Sequence, residues 1–240
     1  MGPPVTNPRN RLLAALPPDV MAELSGHLRP VQFAQEHILY RAGDRLARVY
    51  FPETGLVSYL VEVAGGDRIE TAMVGHDSVV GISVALADPL ALNSAIAQAA
   101  GQGYALDAGI LLATAERHPP LRATLLRHHE VVLAQAQQSV LCNVTHTVEQ
   151  RVARWLMRAH DLTGRSTLDL TQEFLADVLG VRRASVSLVA QALQDAGAIA
   201  YRRGQIQILD ARSLRAAACE CYGAVKRHYD RLITPVAETR

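Results

Sequence analysis

The sequence predicts an α+β protein in three successive parts: a strand-rich N-terminal half, a long helix, and a C-terminal unit of short helices with a hairpin. Three observations carry this reading. Glycine-centred breaks recur about every ten residues between Pro30 and Asp107, the rhythm of short antiparallel strands. Glycine and proline then vanish from Pro120 to about Asp161. Finally, Leu170 to Leu193 reads as two short helical patterns flanking Gly180.

The bulk properties set the class. With 240 residues, 49% of them hydrophobic and 20% charged, the chain suits a globular protein of two modest domains. No apolar run approaches the roughly 18 residues of a membrane helix. Met1 to Arg11 lacks the apolar core of a secretory signal, and three cysteines make no disulfide framework, so a cytoplasmic location is expected. The net charge of +1 hides an asymmetry. Residues 1–150 hold 10 Arg against 14 acidic residues, whereas residues 151–240 hold 14 Lys and Arg against 9. Only the rear of the chain is suited to a polyanion.

In the first part, Arg9 to Leu28 forms one or two short helices, with Leu12, Leu13, Leu16, Val20 and Leu24 on a helical period. Val57 to Val63 alternates as a strand, Gly65-Gly66-Asp67 turns the chain, and Ile69 to Val74 runs back. Further breaks at Gly43-Asp44, Pro52–Gly55, Gly75–Asp77 and Gly101–Gly103 complete a barrel or jelly roll, giving a β-roll over residues 1–119.

In residues 120–161, Leu126, Leu133 and Val140 recur every seven residues, with Ala136 and Val144 between them. This predicts one long helix with an apolar seam, diluted by Gln135, Gln137 and Ser139. Such a helix either crosses a core or zips against a second copy. The seam favours a second copy.

Residues 162–240 carry the sharpest signal. Thr171 caps a helix whose apolar face is Phe174, Leu175, Val178 and Leu179. Ala176 is small where a second helix must approach, and Gly180 supplies the turn four residues later. Val186, Val189, Ala190 and Leu193 form the inner face of the second helix, leaving Arg182, Arg183, Ser185 and Ser187 to project outward from its start. An ordinary helical hairpin with a solvated face would share this spacing. The next segment of the chain favours a winged helix-turn-helix: Ile199 to Tyr201, a turn at Arg202-Arg203-Gly204, and alternating Gln205 to Leu209. Arginines at a wing tip suit phosphate contacts.

Together these parts resemble the CRP/FNR superfamily of bacterial regulators over essentially the whole chain, most specifically from Thr171 to Ile199. The resemblance implies a homodimer about the long helix, with two recognition helices in successive major grooves of a near-palindromic double-stranded DNA site. It also implies contact with RNA polymerase, and a closing helix over about Ala211 to Leu232 packed behind the wing. The DNA-binding residues are then Arg182, Arg183, Ser185 and Ser187 with Thr171, Arg202 and Arg203. Cyclic-AMP receptors of the family read DNA with an Arg-Glu pair and a second arginine. Here Arg183 keeps the first place, but Ala184 and Leu188 stand in the other two.

The sensor departs as well. Family members that bind cyclic nucleotides carry Gly-Glu and, about ten residues later, Arg-Ser or Arg-Thr. Here Gly81 and Ser94 remain, whereas Ile82 replaces the glutamate and Asn93 the arginine. Without a cation for the phosphate, cyclic AMP or GMP is not expected in the usual mode. Cys142, Cys219 and Cys221 are too few for a four-cysteine cluster and lie outside the N-terminal region where the family's oxygen sensors keep theirs. They read as buried or inert thiols, Cys219 and Cys221 on different faces of one helix, with no metal site. His76, in the turn Gly75-His76-Asp77, could ligate haem as in some relatives, although a solvated turn histidine is the simpler reading. His128 and His129 are assigned to solvent or the dimer flank. No cofactor is expected and the effector is left open.

No Gly-x-Ser-x-Gly elbow, His-Glu-x-x-His helix, phosphate loop or Cys-x-x-Cys pair occurs, so an enzyme is not expected. A ligand-binding or protein-interaction module with a vestigial DNA-binding unit is the alternative, and the basic C-terminal part argues against it.

Overall fold

The computed structural model describes residues 7–85 and 89–233. Two short helices, α1 (Arg11–Ala14) and α2 (Pro18–Ser25), open the chain. Asn10 caps α1 through its side-chain oxygen and donates its amide to the carbonyls of Pro52 and Ser78 at 2.9 and 2.8 Å, which pins the pair to the roll.

Seven strands follow: β1 (Arg29–Phe33), β2 (Ile38–Tyr40), β3 (Arg48–Pro52), β4 (Leu56–Glu62), β5 (Arg68–Val74), β6 (Ser94–Ala99) and β7 (Gly101–Asp107). They build two antiparallel sheets, ordered β1-β7-β3 and β2-β6-β4-β5, facing each other across the first core. The hairpin expected at Gly65-Gly66-Asp67 joins β4 to β5, with Glu62 opposite Arg68. Where β7 begins, close backbone approach requires glycine: a Cβ on Gly101 would lie 2.2 Å from the Thr54 carbonyl oxygen.

Helix α3 (Ala108–Arg117) leads into α4 (Pro119–Thr145) and α5 (Val148–Thr163). The single helix expected over residues 120–161 is therefore two. The break has a local cause. Thr147 caps α5 and Gln150 reciprocates, a capping box that outcompetes continuation of α4. The T-x-x-Q spelling is present in the sequence.

On α4, Leu126, Leu133 and Val140 are 45, 51 and 66% exposed, and Val144 is 83% exposed. Among the described residues nothing covers this stripe. Gln135 and Ser139 do not dilute it, because they point to the opposite, buried face, where Gln135 accepts a hydrogen bond from the Tyr229 hydroxyl at 2.8 Å.

The remainder comprises β8 (Thr167–Asp169), α6 (Gln172–Leu179), α7 (Arg183–Asp195), β9 (Ile199–Arg202), β10 (Gln205–Ile208), α8 (Ala211–Ala217) and α9 (Cys221–Ile233). The closing helix expected over Ala211 to Leu232 is split at Ala218–Glu220, and α9 lies along α4 instead of behind the wing. The second core joins α5 to the α6–α7 unit and to Leu56, Leu60, Met73 and Ile96 from the outer face of the four-stranded sheet. That sheet is buried on both sides, so Leu56 to Leu60 are all buried where simple alternation would expose every second residue.

Candidate nucleic-acid interface

Helix α6 begins where Thr171 Oγ1 accepts from the Phe174 backbone N–H at 3.0 Å, and ends at Gly180 in the left-handed conformation at φ +61°. Val181 N–H then donates to the Ala176 carbonyl at 2.9 Å, closing the turn into α7. Ala176 is buried at the crossing, and Val186, Ala190 and Leu193 fill the core beneath α7. A helix-turn-helix pair with a bare outer helix face results.

That outer face begins with Arg182 and Arg183, both exposed. Among the described residues neither guanidinium enters an ion pair. Arg182 occupies the N-cap in extended backbone with no side-chain cap, leaving the start of α7 open to an anion. Ser185 is half-buried. Ser187 does not project freely: its Oγ lies 2.5 Å from Gln172 Oε1, turned toward α6. The exposed stripe further along runs through Ala184, Leu188 and Gln191, with Leu188 75% exposed. Leu188 and Gln191 were not among the residues expected from the sequence to meet a ligand, although their spacing from Ala184 on the face opposite Val186 marks them.

The wing is a three-stranded sheet ordered β8-β10-β9. Its tip is the two-residue turn Arg203-Gly204, both at positive φ (+48° and +81°), as hairpin twist requires. A Cβ on Gly204 would lie 3.8 Å from Thr171 Cγ2, so the tip sits beside the start of α6. Arg202 and Arg203 are exposed there. The structure thus gathers Thr171, Arg202 and Arg203 at one edge and sets Arg182, Arg183 and Ser185 at the opening of α7.

The start of α7 also borders the β4–β5 hairpin. Between them lies a cleft of about 750 Å³ whose walls include Arg68, Ile69, Asp177 and Arg182. Arg68 pairs with Asp177 at 3.2 Å across it.

A polar seam binds the roll to α5. Nothing in the spacing of the α5 arginines distinguishes a solvated face from a buried one. Arg151, Arg154 and Arg158 are all buried. Arg158 pairs with Asp77 at 2.8 Å and lies 4.4 Å from the Tyr229 ring centroid. Glu70 accepts from Trp155 Nε1 at 3.0 Å and from the Ser58 hydroxyl. Burial pushes its carboxyl up to about 7 despite those bonds and the charges of Arg154 and Arg158. His128 is fully buried, not solvated: its Nε2 accepts from the Val79 N–H at 3.3 Å and contacts the Ser78 hydroxyl. Burial lowers it to about 4, with Asp77 pulling the other way.

The residues expected to form the sensor pocket lie within the roll. Gly81, at φ +86°, donates its N–H to the Tyr59 hydroxyl oxygen at 3.2 Å. Ile82 opens a 3-10 turn (Ile82–Ala85) inside the first core. Asn93 is half-buried before β6, and Ser94 Oγ accepts from the Ala42 N–H at 3.2 Å. Part of the stretch corresponding to the nucleotide cassette, residues 86–88, lies outside the described residues. His76 is half-buried rather than solvated, its Nδ1 donating to the Leu162 carbonyl at 3.0 Å. No helix among the described residues is long and apolar enough to cross a membrane.

Residues 150–217 match the Crp-like helix-turn-helix domain family. The fold is similar to that of FixK2 from Bradyrhizobium japonicum, at 18% identity over 80% of this chain and 98% of that one (TM-score 0.68). It is similar too to a transcriptional regulator of the CRP/FNR family from Eubacterium rectale, at 17% identity over 86% and 96% (TM-score 0.66). A third likeness is a CRP/FNR-family transcriptional regulator from Thermus thermophilus, at 22% identity over 79% and 98% (TM-score 0.64). No protein of curated function matches the sequence.

Proposed function

We propose that this chain, which has the fold of the CRP/FNR transcription regulators and a Crp-like helix-turn-helix domain at residues 150–217, acts as a homodimeric, sequence-specific DNA-binding regulator. The observation that carries this is the pair of exposed guanidiniums of Arg182 and Arg183, without an ion-pair partner among the described residues, at the uncapped start of α7. Base edges are reached by that end of a recognition helix. Arg183 reads guanine, Leu188 offers an apolar contact for a thymine methyl, and Arg202 and Arg203 hold phosphate.

The uncovered stripe Leu126–Leu133–Val140 supports a second copy as its partner, which sets two α7 helices on a near-palindromic duplex. Residues 1–119, 120–161 and 162–240 then divide into sensor, dimer helix with hinge, and DNA-binding unit, with RNA polymerase a further partner. The sensor does not use cyclic AMP, because Ile82 lies in the apolar core and Asn93 offers no charge to a phosphate. His76 bridges the roll to α5 and holds no haem.

Binding of Arg183→Ala and Arg203→Ala should be measured on a duplex selected from a random pool and on random DNA across salt concentrations. Losing Arg183 should cost about 1–3 kcal/mol on the selected site and little on random DNA. Losing Arg203 should weaken both alike and reduce the salt slope by about one. Equal weakening of both duplexes by Arg183→Ala would remove it as a reader.

A further inference from the structure

The three cysteines, expected to be buried or inert thiols, are buried and converge. Cys219 lies in the link between α8 and α9, not on a shared helix with Cys221, and Cys221 opens α9. Both meet Cys142 in the last turn of α4, and all three are buried. His146 sits one turn after Cys142, at the α4 C-cap, and completes the group. The four donor atoms all lie within 4.8 Å of one another.

We infer that Cys142, His146, Cys219 and Cys221 form a tetrahedral site for a single zinc ion at the hinge between α4 and α5. The distances fit one ion. Zinc bonds of about 2.3 Å to sulfur and 2.0 Å to nitrogen set tetrahedral neighbours about 3.5–3.8 Å apart. Cys142 Sγ to Cys219 Sγ is 3.6 Å, and Cys221 Sγ to His146 Nδ1 is 3.6 Å. An iron–sulfur cluster would spread its ligands over several irons and hold them further apart than this group allows.

The surroundings also suit a metal. With Nδ1 aimed into the group, His146 Nε2–H faces the Glu220 carboxylate at 3.2 Å, the pairing that orients a metal-bound imidazole. Gln138 Nε2 donates to Cys221 Sγ at 3.0 Å. On binding, the three thiols would release three protons to water, and neutral His146 would contribute its Nδ1 lone pair. Zinc with three thiolates then carries one net negative charge. Beside it stand the buried guanidiniums of Arg151 and Arg154, each with an Nε lacking a hydrogen-bond partner. Two buried cations next to three thiols, with no carboxylate in the ligand set, suit such an anion. The site would clamp the α8–α9 link to the end of α4, one turn from the capping box that starts α5. This inference rests on these side chains alone and stands whether or not the chain binds DNA.

The full chain, purified under reducing conditions, should be analysed for metal by mass spectrometry and then stripped with a chelator and titrated with Co(II). One zinc per chain is expected, and Co(II) should give the visible bands of a tetrahedral ion with thiolate charge transfer, displaced by zinc. Cys219→Ser should abolish the charge-transfer signal or greatly weaken it. Because a buried serine could disturb folding, Glu220→Gln provides a surface variant that should lower zinc affinity by about 10–100-fold with unchanged helix content. Absence of stoichiometric metal together with a Co(II) spectrum lacking thiolate bands would overturn the site. So would a Cys142–Cys219 disulfide in the protein purified without reductant that persists in the presence of zinc, or a Glu220→Gln affinity equal to wild type.

Discussion

Glu70 offers the most direct test of how the roll and the C-terminal unit are joined. Its half-buried carboxyl, on β5, is bonded by Ser58 and by Trp155 of α5, and is held at about 7 against an ordinary 4.5. The folded state therefore holds this proton more tightly than the unfolded chain does. Its stabilising contribution is fully present below pH 4.5 and is lost as pH rises through about 7. At about 1.4 kcal/mol per pH unit, that interval corresponds to roughly 3 kcal/mol. Glu70→Gln keeps an acceptor for Trp155 and supplies an amide donor to Ser58, but has no proton to lose. Urea unfolding followed by circular dichroism should be compared for the two proteins at one concentration between about pH 4.5 and 7.5. Wild type should lose about 3 kcal/mol relative to Glu70→Gln across that range. His128 acts in the opposite sense, its contribution present above 6.5 and lost as pH falls through about 4, and it cancels in the difference because both proteins keep it. Parallel stability curves would refute the reasoning, since they would mean that Glu70 titrates alike in folded and unfolded chains.

Two further outcomes are expected. Leu133→Glu would set like charges against each other across the α4 stripe and should convert a dimer to monomers in sedimentation, whereas a wild-type monomer at micromolar concentration would remove the premise. Calorimetric titration with cyclic AMP should give no measurable heat of binding, and micromolar affinity would show that the roll receives a phosphate by a route other than Ile82 and Asn93.

Much of the local architecture was legible in the residues. Glycine turns marked the hairpin between β4 and β5, and the small-Gly-apolar spacing of Ala176, Gly180 and Val186 marked the α6–α7 pair. The Arg203-Gly204 turn marked the wing. These signals are local: each depends on backbone conformations that a few neighbouring residues favour or forbid. The split between α4 and α5 was local too, spelled by Thr147 and Gln150, and the long-helix reading overran it because no glycine or proline marks the break.

Only the tertiary structure decided which surfaces meet. Arginines 151, 154 and 158 carry nothing in their spacing to distinguish a solvated stripe from a buried one. Burial is tolerable because partners from distant parts of the chain arrive: Asp77 and Tyr229 at Arg158, Glu70 near Arg154, and the Leu179 carbonyl at Arg151. His128, expected at the surface, is covered because Ser78 and Val79, just beyond β5, close over it. Cys142 and Cys219 are 77 positions apart, and a count of cysteines alone could not bring them together. Periodicity reports the shape of one element, whereas the partner of its face is fixed by long-range packing, which leaves no repeating mark in a single sequence.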